Sequence, residues 1–327
     1  MKGEQRSFMS LQIVYGRSGT GKTSYIFKVI SNSINNGRKK YIITPEQFSF
    51  TAEKELLNNL DREATLNAEV LTFNRMAHRV RGDVGKNVNP ILSDSGKSML
   101  IYNILSKQKN NLQFLGKSDS NVEMVLRQLT ELKKHGVGLS GLEELIQNVE
   151  DNKFLKAKLD DIYLIYDKYQ EKINNNYIDE DDSLSILLEQ LDYTNIFDGC
   201  EIYIDEFVGF TKQEYDIISI LLKQAARVSI NICTDSLEES ISPDTDIFYA
   251  NKLTVQKIME AAKSVDAKMD NPINIEDVHR FETEELEFLE KNLYAIPYQR
   301  YTKKPVNNIK LFLANNPYSE IENIASN

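Results

Sequence analysis

The residues with the most chemical content lie near the start of the chain, in the run Gly16, Arg17, Ser18, Gly19, Thr20, Gly21, Lys22 and Thr23. Their spacing satisfies G-x-x-x-x-G-K-[ST] in full, with the apolar run Leu11–Tyr15 before it and a helical apolar spacing after it. Glycines at those positions let backbone N–H groups turn inward around phosphate oxygens, and the N-terminus of the following helix adds a favourable dipole. All eight residues are therefore candidates for binding a nucleoside triphosphate, with ATP expected. Lys22 would reach the β- and γ-phosphates, and the Thr23 hydroxyl would ligate magnesium. The natural second half is Glu201–Glu206, an apolar strand ending in two carboxylates. Such a strand delivers Asp205 to its C-terminal end, where ligands sit in open parallel sheets. There Asp205 could hold magnesium, and Glu206 could orient or deprotonate an attacking water. Lys22, Asp205 and Glu206 are the candidate catalytic residues, and Thr23 and Asp205 the candidate metal ligands.

Two further clusters invite a chemical reading. Leu71–Val80 runs from a strand end into a helix, so Thr72, Asn74, Arg75 and Arg79, with His78 and Arg81 nearby, place donors where a nucleic-acid backbone could lie. Phe73 is available there for packing or for base stacking. An ordinary solvated helix face explains the same charges. Asp179, Glu180, Asp181 and Asp182 form an acidic run just ahead of the helical pattern Ser183–Leu191. Negative charge at a helix start is favourable by itself, so a solvated cap is expected rather than a metal centre.

The elements that must position these residues follow from periodicity. Apolar runs at Leu11–Tyr15, Lys40–Thr44, Ala68–Phe73, Glu201–Asp205 and Val228–Cys233 read as strands. Helical spacings separate them at Ser24–Asn35, Ser49–Asn59, Arg75–Arg81 and Lys212–Gln224. Alternation of this kind predicts an α/β fold, a P-loop parallel sheet flanked by helices. Between Ser93 and Gln190 the pattern is helical throughout, which predicts an all-helical inserted subdomain. The tyrosines at 163, 166 and 169 share one helix there, with packing expected over nucleic-acid stacking. The expected division is a first part of the core over 9–92, the insertion over 93–198, the second part of the core over 199–240, and a mostly helical segment over 241–327. That last segment carries a final strand at Asn308–Leu313 and a helix from Ser319.

Composition narrows the class without naming it. With 327 residues, 41% hydrophobic and 27% charged, the chain can bury a sizeable core and lies outside the disordered range. No apolar run approaches a membrane span, Met1–Ser10 lacks a secretory core, and the two cysteines read as buried thiols, so a soluble cytoplasmic protein is expected. Met9 is a plausible natural start, with Met1–Phe8 an extension. Three scattered histidines offer no zinc spacing. A net charge of −10 argues against nucleic-acid binding by bulk electrostatics, though not against a local basic groove.

In their order along the chain, Gly16–Thr23, Leu71–Val80 and Ile202–Phe207 resemble motifs I, Ia and II of superfamily 1 DNA helicases, whose motor domains are RecA-like. Tyr177–Leu184 is similar to the "DFDDLL" segment of the same superfamily. Ile42–Phe50 and Leu71–Val80 resemble more closely the AddB family, the B subunits of bacterial AddAB helicase–nucleases. The resemblance implies an ATP- and DNA-binding module of a helicase and exonuclease subunit, a hydrolase acting with an A-type partner subunit on duplex ends and single strands in recombinational DNA repair. It also implies a Chi-reading role and an iron–sulfur cluster in a C-terminal nuclease domain, which this chain is too short and too poor in cysteine to contain. The end of the chain within a helical pattern suggests the start of a second motor-like domain in a longer protein. Departures from active helicases are also present. Val208 stands where a glutamine follows the acidic pair, no glutamine follows Cys233–Ser236, and there is no room for an adenine-reading glutamine segment before the P-loop. These departures imply secure ATP binding with uncertain turnover, and keep open a non-hydrolysing scaffold or an unrelated P-loop ATPase.

Overall fold

The computed structural model describes residues 9–60, 64–85, 89–115, 121–149, 152–174, 176–238, 243–303 and 305–326; the extension read over Met1–Phe8 lies outside them. Its centre is a seven-stranded sheet in which every pairing is parallel. The strands are β1 (Ser10–Gly16), β2 (Lys40–Ile43), β3 (Ala68–Leu71), β4 (Glu201–Ile204), β5 (Arg227–Cys233), β6 (Lys268–Met269) and β7 (Ile273–Asn274). The spatial order is β3-β2-β4-β5-β1-β6, with β7 also on β1. Thus β5 lies between the strand that feeds the glycine loop and the strand that carries the acidic pair.

The runs that pattern as strands are buried on both faces, as crossover helices require. On one face, Ile26, Phe27 and Ile30 of helix α1 (Lys22–Ser33) and Leu56 of α2 (Glu46–Asn59) pack on Ile42, Val70 and Tyr203. On the other, Leu11, Tyr41, Ile43 and Ile204 meet helices α3 (Phe73–Val84), α8 (Ser183–Leu191), α9 (Lys212–Gln224) and α10 (Tyr249–Ser264). Side-chain caps set two of the helix starts. Thr72 Oγ1 accepts from the Arg75 N–H to open α3, and Thr211 forms a reciprocal capping box with Glu214 at α9.

Between β3 and β4 stand α4 (Asp94–Gln108), α5 (Asn121–Lys134), α6 (Leu139–Asn148) and α7 (Lys153–Ile173), with a core of their own around Ile101, Leu129, Leu142 and Ile165. Tyr166 and Tyr169 are buried in that core, so packing is their role. Within the stretch expected to be an insertion, Leu187 and Leu191 of α8 belong to the sheet's core. The acidic run also departs from expectation, since it is no solvated cap. Asp179 is 2% exposed and meets Lys97 Nζ at 2.7 Å and Lys133 Nζ at 2.6 Å. Lys133 also bonds Asp182 at 2.7 Å, and Lys97 bonds Asp181 at 2.9 Å. Two helices of the insertion are thereby clamped to the segment that leads back into the sheet.

The C-terminal part corrects the periodicity in two ways. Residues 265–275, expected to be helical, supply β6 and β7 as short additions to β1. The strand expected at Asn308–Leu313 is irregular, with Leu311 and Leu313 fully exposed. Its alternation suits a strand, but a strand needs a hydrogen-bonded neighbour, and none pairs with it among the described residues. Helices α11 (Glu284–Asn292) and α12 (Pro317–Ser326) complete the chain as described. No helix among the described residues is long and apolar enough to cross a membrane.

Candidate functional site

The glycine loop turns directly from β1 into α1. Gly19 and Gly21 take left-handed φ values of 82° and 87°, and α1 begins at Lys22. The Lys22 ammonium folds back over the loop and donates to the carbonyl oxygens of Gly16 (2.9 Å) and Arg17 (2.8 Å). Burial lowers the Lys22 pKa. Cys233, Asp205 and Glu206 oppose that shift, and the Arg280 guanidinium adds a smaller push downward.

Across the cleft, Asp205 follows the last residue of β4 and is 7% exposed. Its Oδ1 accepts from the Glu206 N–H and from Asn231 Nδ2, each at 2.9 Å. Glu206 has φ 66°, a left-handed conformation that costs a non-glycine residue about 1–2 kcal/mol. From there its Oε1 accepts from the Thr23 hydroxyl at 3.2 Å. One hydroxyl and two carboxylates therefore converge, an all-oxygen donor set that fits magnesium rather than zinc.

The eight loop residues divide between two sides. Ser18, Gly19, Gly21, Lys22 and Thr23 line a cleft of about 460 Å³ together with Asp205 and Glu206. Gly16, Arg17 and Thr20 line the opposite side of the loop. Arg17 bonds the Glu290 carboxylate at 3.1 Å and its carbonyl at 3.0 Å, and sits 5.0 Å over the Phe248 ring. Thr20 is buried and donates to the Arg17 carbonyl. These side chains brace the loop from behind.

His279 and Arg280 form a second wall of the cleft, at the end of a strap over residues 275–280. The Ile275 N–H donates to Tyr15 O (2.8 Å), the His279 N–H donates to Gly19 O (2.9 Å), and Arg280 Nη1 donates to Ser18 Oγ (3.0 Å). Sequence reasoning missed this strap, because no motif marks it and it lies 262 positions from the serine it touches. Its approach explains one glycine directly. A Cβ at Gly19 would stand 2.6 Å from Arg280 Cβ, in addition to the left-handed backbone. Gly19→Ala is therefore expected to lower unfolding stability by about 1–3 kcal/mol, read by urea denaturation; an unchanged midpoint would show the strap to be loosely held.

The residues proposed to touch nucleic acid do not form one outward surface. Thr72 is buried, and its hydroxyl donates to Glu46 Oε1 at 2.6 Å while capping α3. Phe73 is 5% exposed and meets Phe207 and Phe210 edge-on, with centroids 5.7 and 6.4 Å away, so packing and not base stacking is its role. Asn74 is exposed and donates to Glu46 at 3.3 Å. Arg75 and Arg79 do face outward, beside a groove of about 680 Å³ along β3. Each already has a carboxylate partner, Glu53 for Arg75 and Glu69 for Arg79.

One free thiol, Cys233, lines the cleft. Cys200 is buried and Cys233 half-buried, both free, and the described residues hold no group of three or more histidine, cysteine, aspartate or glutamate side chains placed to share a metal. The four thiolates of an iron–sulfur cluster are not to be found among two cysteines.

Comparison with known proteins places this sequence in a family. A family model described as "ADDB, N-terminal" matches residues 13–290. The chain is 38% identical over 325 residues to the B subunit of the ATP-dependent helicase/deoxyribonuclease of Clostridium novyi (strain NT), covering 97% of this chain. It is 40% identical to the protein of the same name from Clostridium tetani (strain Massachusetts / E88), over 96% of this chain. The Thermoanaerobacter sp. (strain X514) protein of that name is 37% identical over 97%. In each case the chain spans 28% of the relative's length. By the model that spans most of its length and by these relatives, the chain belongs to the AddB family, in its N-terminal region.

Proposed function

We propose that this chain is the helicase-like, ATP-binding module of the B subunit of an ATP-dependent helicase/deoxyribonuclease. The whole protein would act with an A-type helicase–nuclease subunit on duplex ends and single-stranded DNA during double-strand break repair. The observation that carries this reading is the single cleft in which Lys22 and Thr23 face Asp205 and Glu206 in a chain of the AddB family. In it, Lys22 would neutralise the terminal phosphates, the loop N–H groups would cradle them, and Arg280 would add a second positive charge on the facing wall. Magnesium would be held by Thr23 and Asp205, supplying charge neutralisation between the phosphates. Glu206 would hold the water that attacks. An iron–sulfur cluster, if the whole protein carries one, belongs to sequence outside this chain.

A second reading is favoured by Val208, which lines the cleft and is 62% exposed where a water-orienting amide would serve hydrolysis. On that reading the chain binds ATP as a scaffold for its partner and does not turn it over. One experiment separates the two. Hydrolysis by the purified chain, with and without single-stranded DNA, is expected to fall about a hundredfold or more in Glu206→Gln with ATP binding retained. Turnover at background in the parent and variant alike would select the scaffold. Arg280→Ala is expected to weaken ATP binding by about tenfold in a fluorescent-nucleotide titration; an unchanged affinity would leave the strap a brace only.

A further inference from the structure

One buried side chain stands between the glycine loop and the acidic pair. Strand β5 separates β1 from β4, with Ile204 opposite Ile230 and Val14 opposite Asn231. The residue after Ile204 therefore stands beside Asn231, which is how Asp205 and Asn231 come to share a hydrogen bond of 2.9 Å. A carboxylate offers only acceptors, so the amide nitrogen must face Asp205 and the amide oxygen the other way. Asn231 is 3% exposed and lines the cleft, yet its Oδ1 has no hydrogen-bond partner among the described residues. A buried carbonyl oxygen left unpaired is uncommon and calls for a ligand-side partner. The amide is thus joined to the metal-side carboxylate at one end and unpaired at the other.

We propose that Asn231 is a positioning residue for magnesium at this site, fixing Asp205 through its nitrogen and accepting from a magnesium-bound water through its oxygen. The proposal rests on the reading of the cleft as a nucleotide site. Magnesium usually keeps several of its waters and binds through one or two carboxylates plus phosphate, so its outer shell needs acceptors of this kind. The prediction concerns binding and needs no turnover. Affinity for a fluorescent ATP analogue is measured with excess magnesium and again in EDTA, for the parent chain, Asn231→Leu and Asn231→Gln. Asn231→Leu is expected to keep the parent's affinity in EDTA and to lose about tenfold or more of the enhancement that magnesium gives. Asn231→Gln keeps both the amide donor and the amide acceptor, and is expected to retain more of that enhancement than the leucine variant. It also keeps the test open should the apolar variant fail to fold. Full magnesium enhancement in Asn231→Leu, or a loss in Asn231→Gln as deep as in the leucine variant, overturns the inference while the nucleotide site stands. No nucleotide binding by the parent under either condition overturns both.

Discussion

Lys22→Ala is expected to lower ATP affinity by about a hundredfold or more while leaving the fold intact. The two halves of that expectation have different sources. Removing one partner of a desolvated, hydrogen-bonded charge pair costs about 2–5 kcal/mol, and every 1.4 kcal/mol is about a factor of ten. The native partners of the ammonium are carbonyl oxygens of its own loop, at 2.8 and 2.9 Å, which retain access to water beside an open cleft. Thermal unfolding gives both readings in one experiment. The parent midpoint should rise with magnesium and ATP by mass action, and the variant's should start near the parent's and stay put. A variant midpoint that still climbs with ATP would mean that the phosphates are held elsewhere.

The largest stability effect should come from a place remote from that cleft. Asp179→Asn is expected to destabilise the chain by about 3–5 kcal/mol, because it leaves the Lys97 and Lys133 ammonium groups buried with part of their charge uncompensated. Acid should reproduce part of this in the parent. Burial pushes the Asp179 carboxyl up, but Lys133 and Lys97 outweigh it and hold it at about 2. A carboxyl depressed on folding contributes stability above its unfolded value of about 3.9, and loses it as pH falls through the folded one. The contribution, on the order of 2–3 kcal/mol, should fade between about pH 4 and pH 2 in urea titrations of the parent. In Asp179→Asn that component of the acid response should be missing; a variant with the parent's full acid profile would contradict the clamp.

The sequence makes the central strands and the loop legible for a common reason. Leu11–Tyr15, Lys40–Ile43, Glu201–Ile204 and Val228–Cys233 are buried on both faces, so their burial is written in consecutive residues. The P-loop is likewise local, with glycines, lysine and threonine all inside eight positions. What stayed hidden depends on partners far along the chain. Lys268–Met269 and Ile273–Asn274 carry no strand pattern and pair only because β1 offers a free edge. The acidic run at Asp179–Asp182 looks like a surface cap until Lys97 and Lys133 arrive from two other helices. Asn308–Leu313 errs in the opposite sense, a strand pattern with no neighbouring strand among the described residues. For Phe73, a local reading could not decide between packing and stacking, because Phe207 and Phe210 close over it from beyond β4.

The strap over the glycine loop bears on how such chains are divided for study. Its hydrogen bonds to Gly19 and Ser18, with the grip of Glu290 on Arg17, all come from residues downstream of every recognisable signature. A shorter piece ending before Ile273 would contain the whole P-loop and the acidic pair, and would satisfy any pattern search. It would also expose the edge of β1 at Val14 and Tyr15 that β7 covers, and leave the loop without its opposite wall and its rear brace. Weak nucleotide binding by such a piece would measure where it was cut. In this protein a complete signature and a complete site have different lengths.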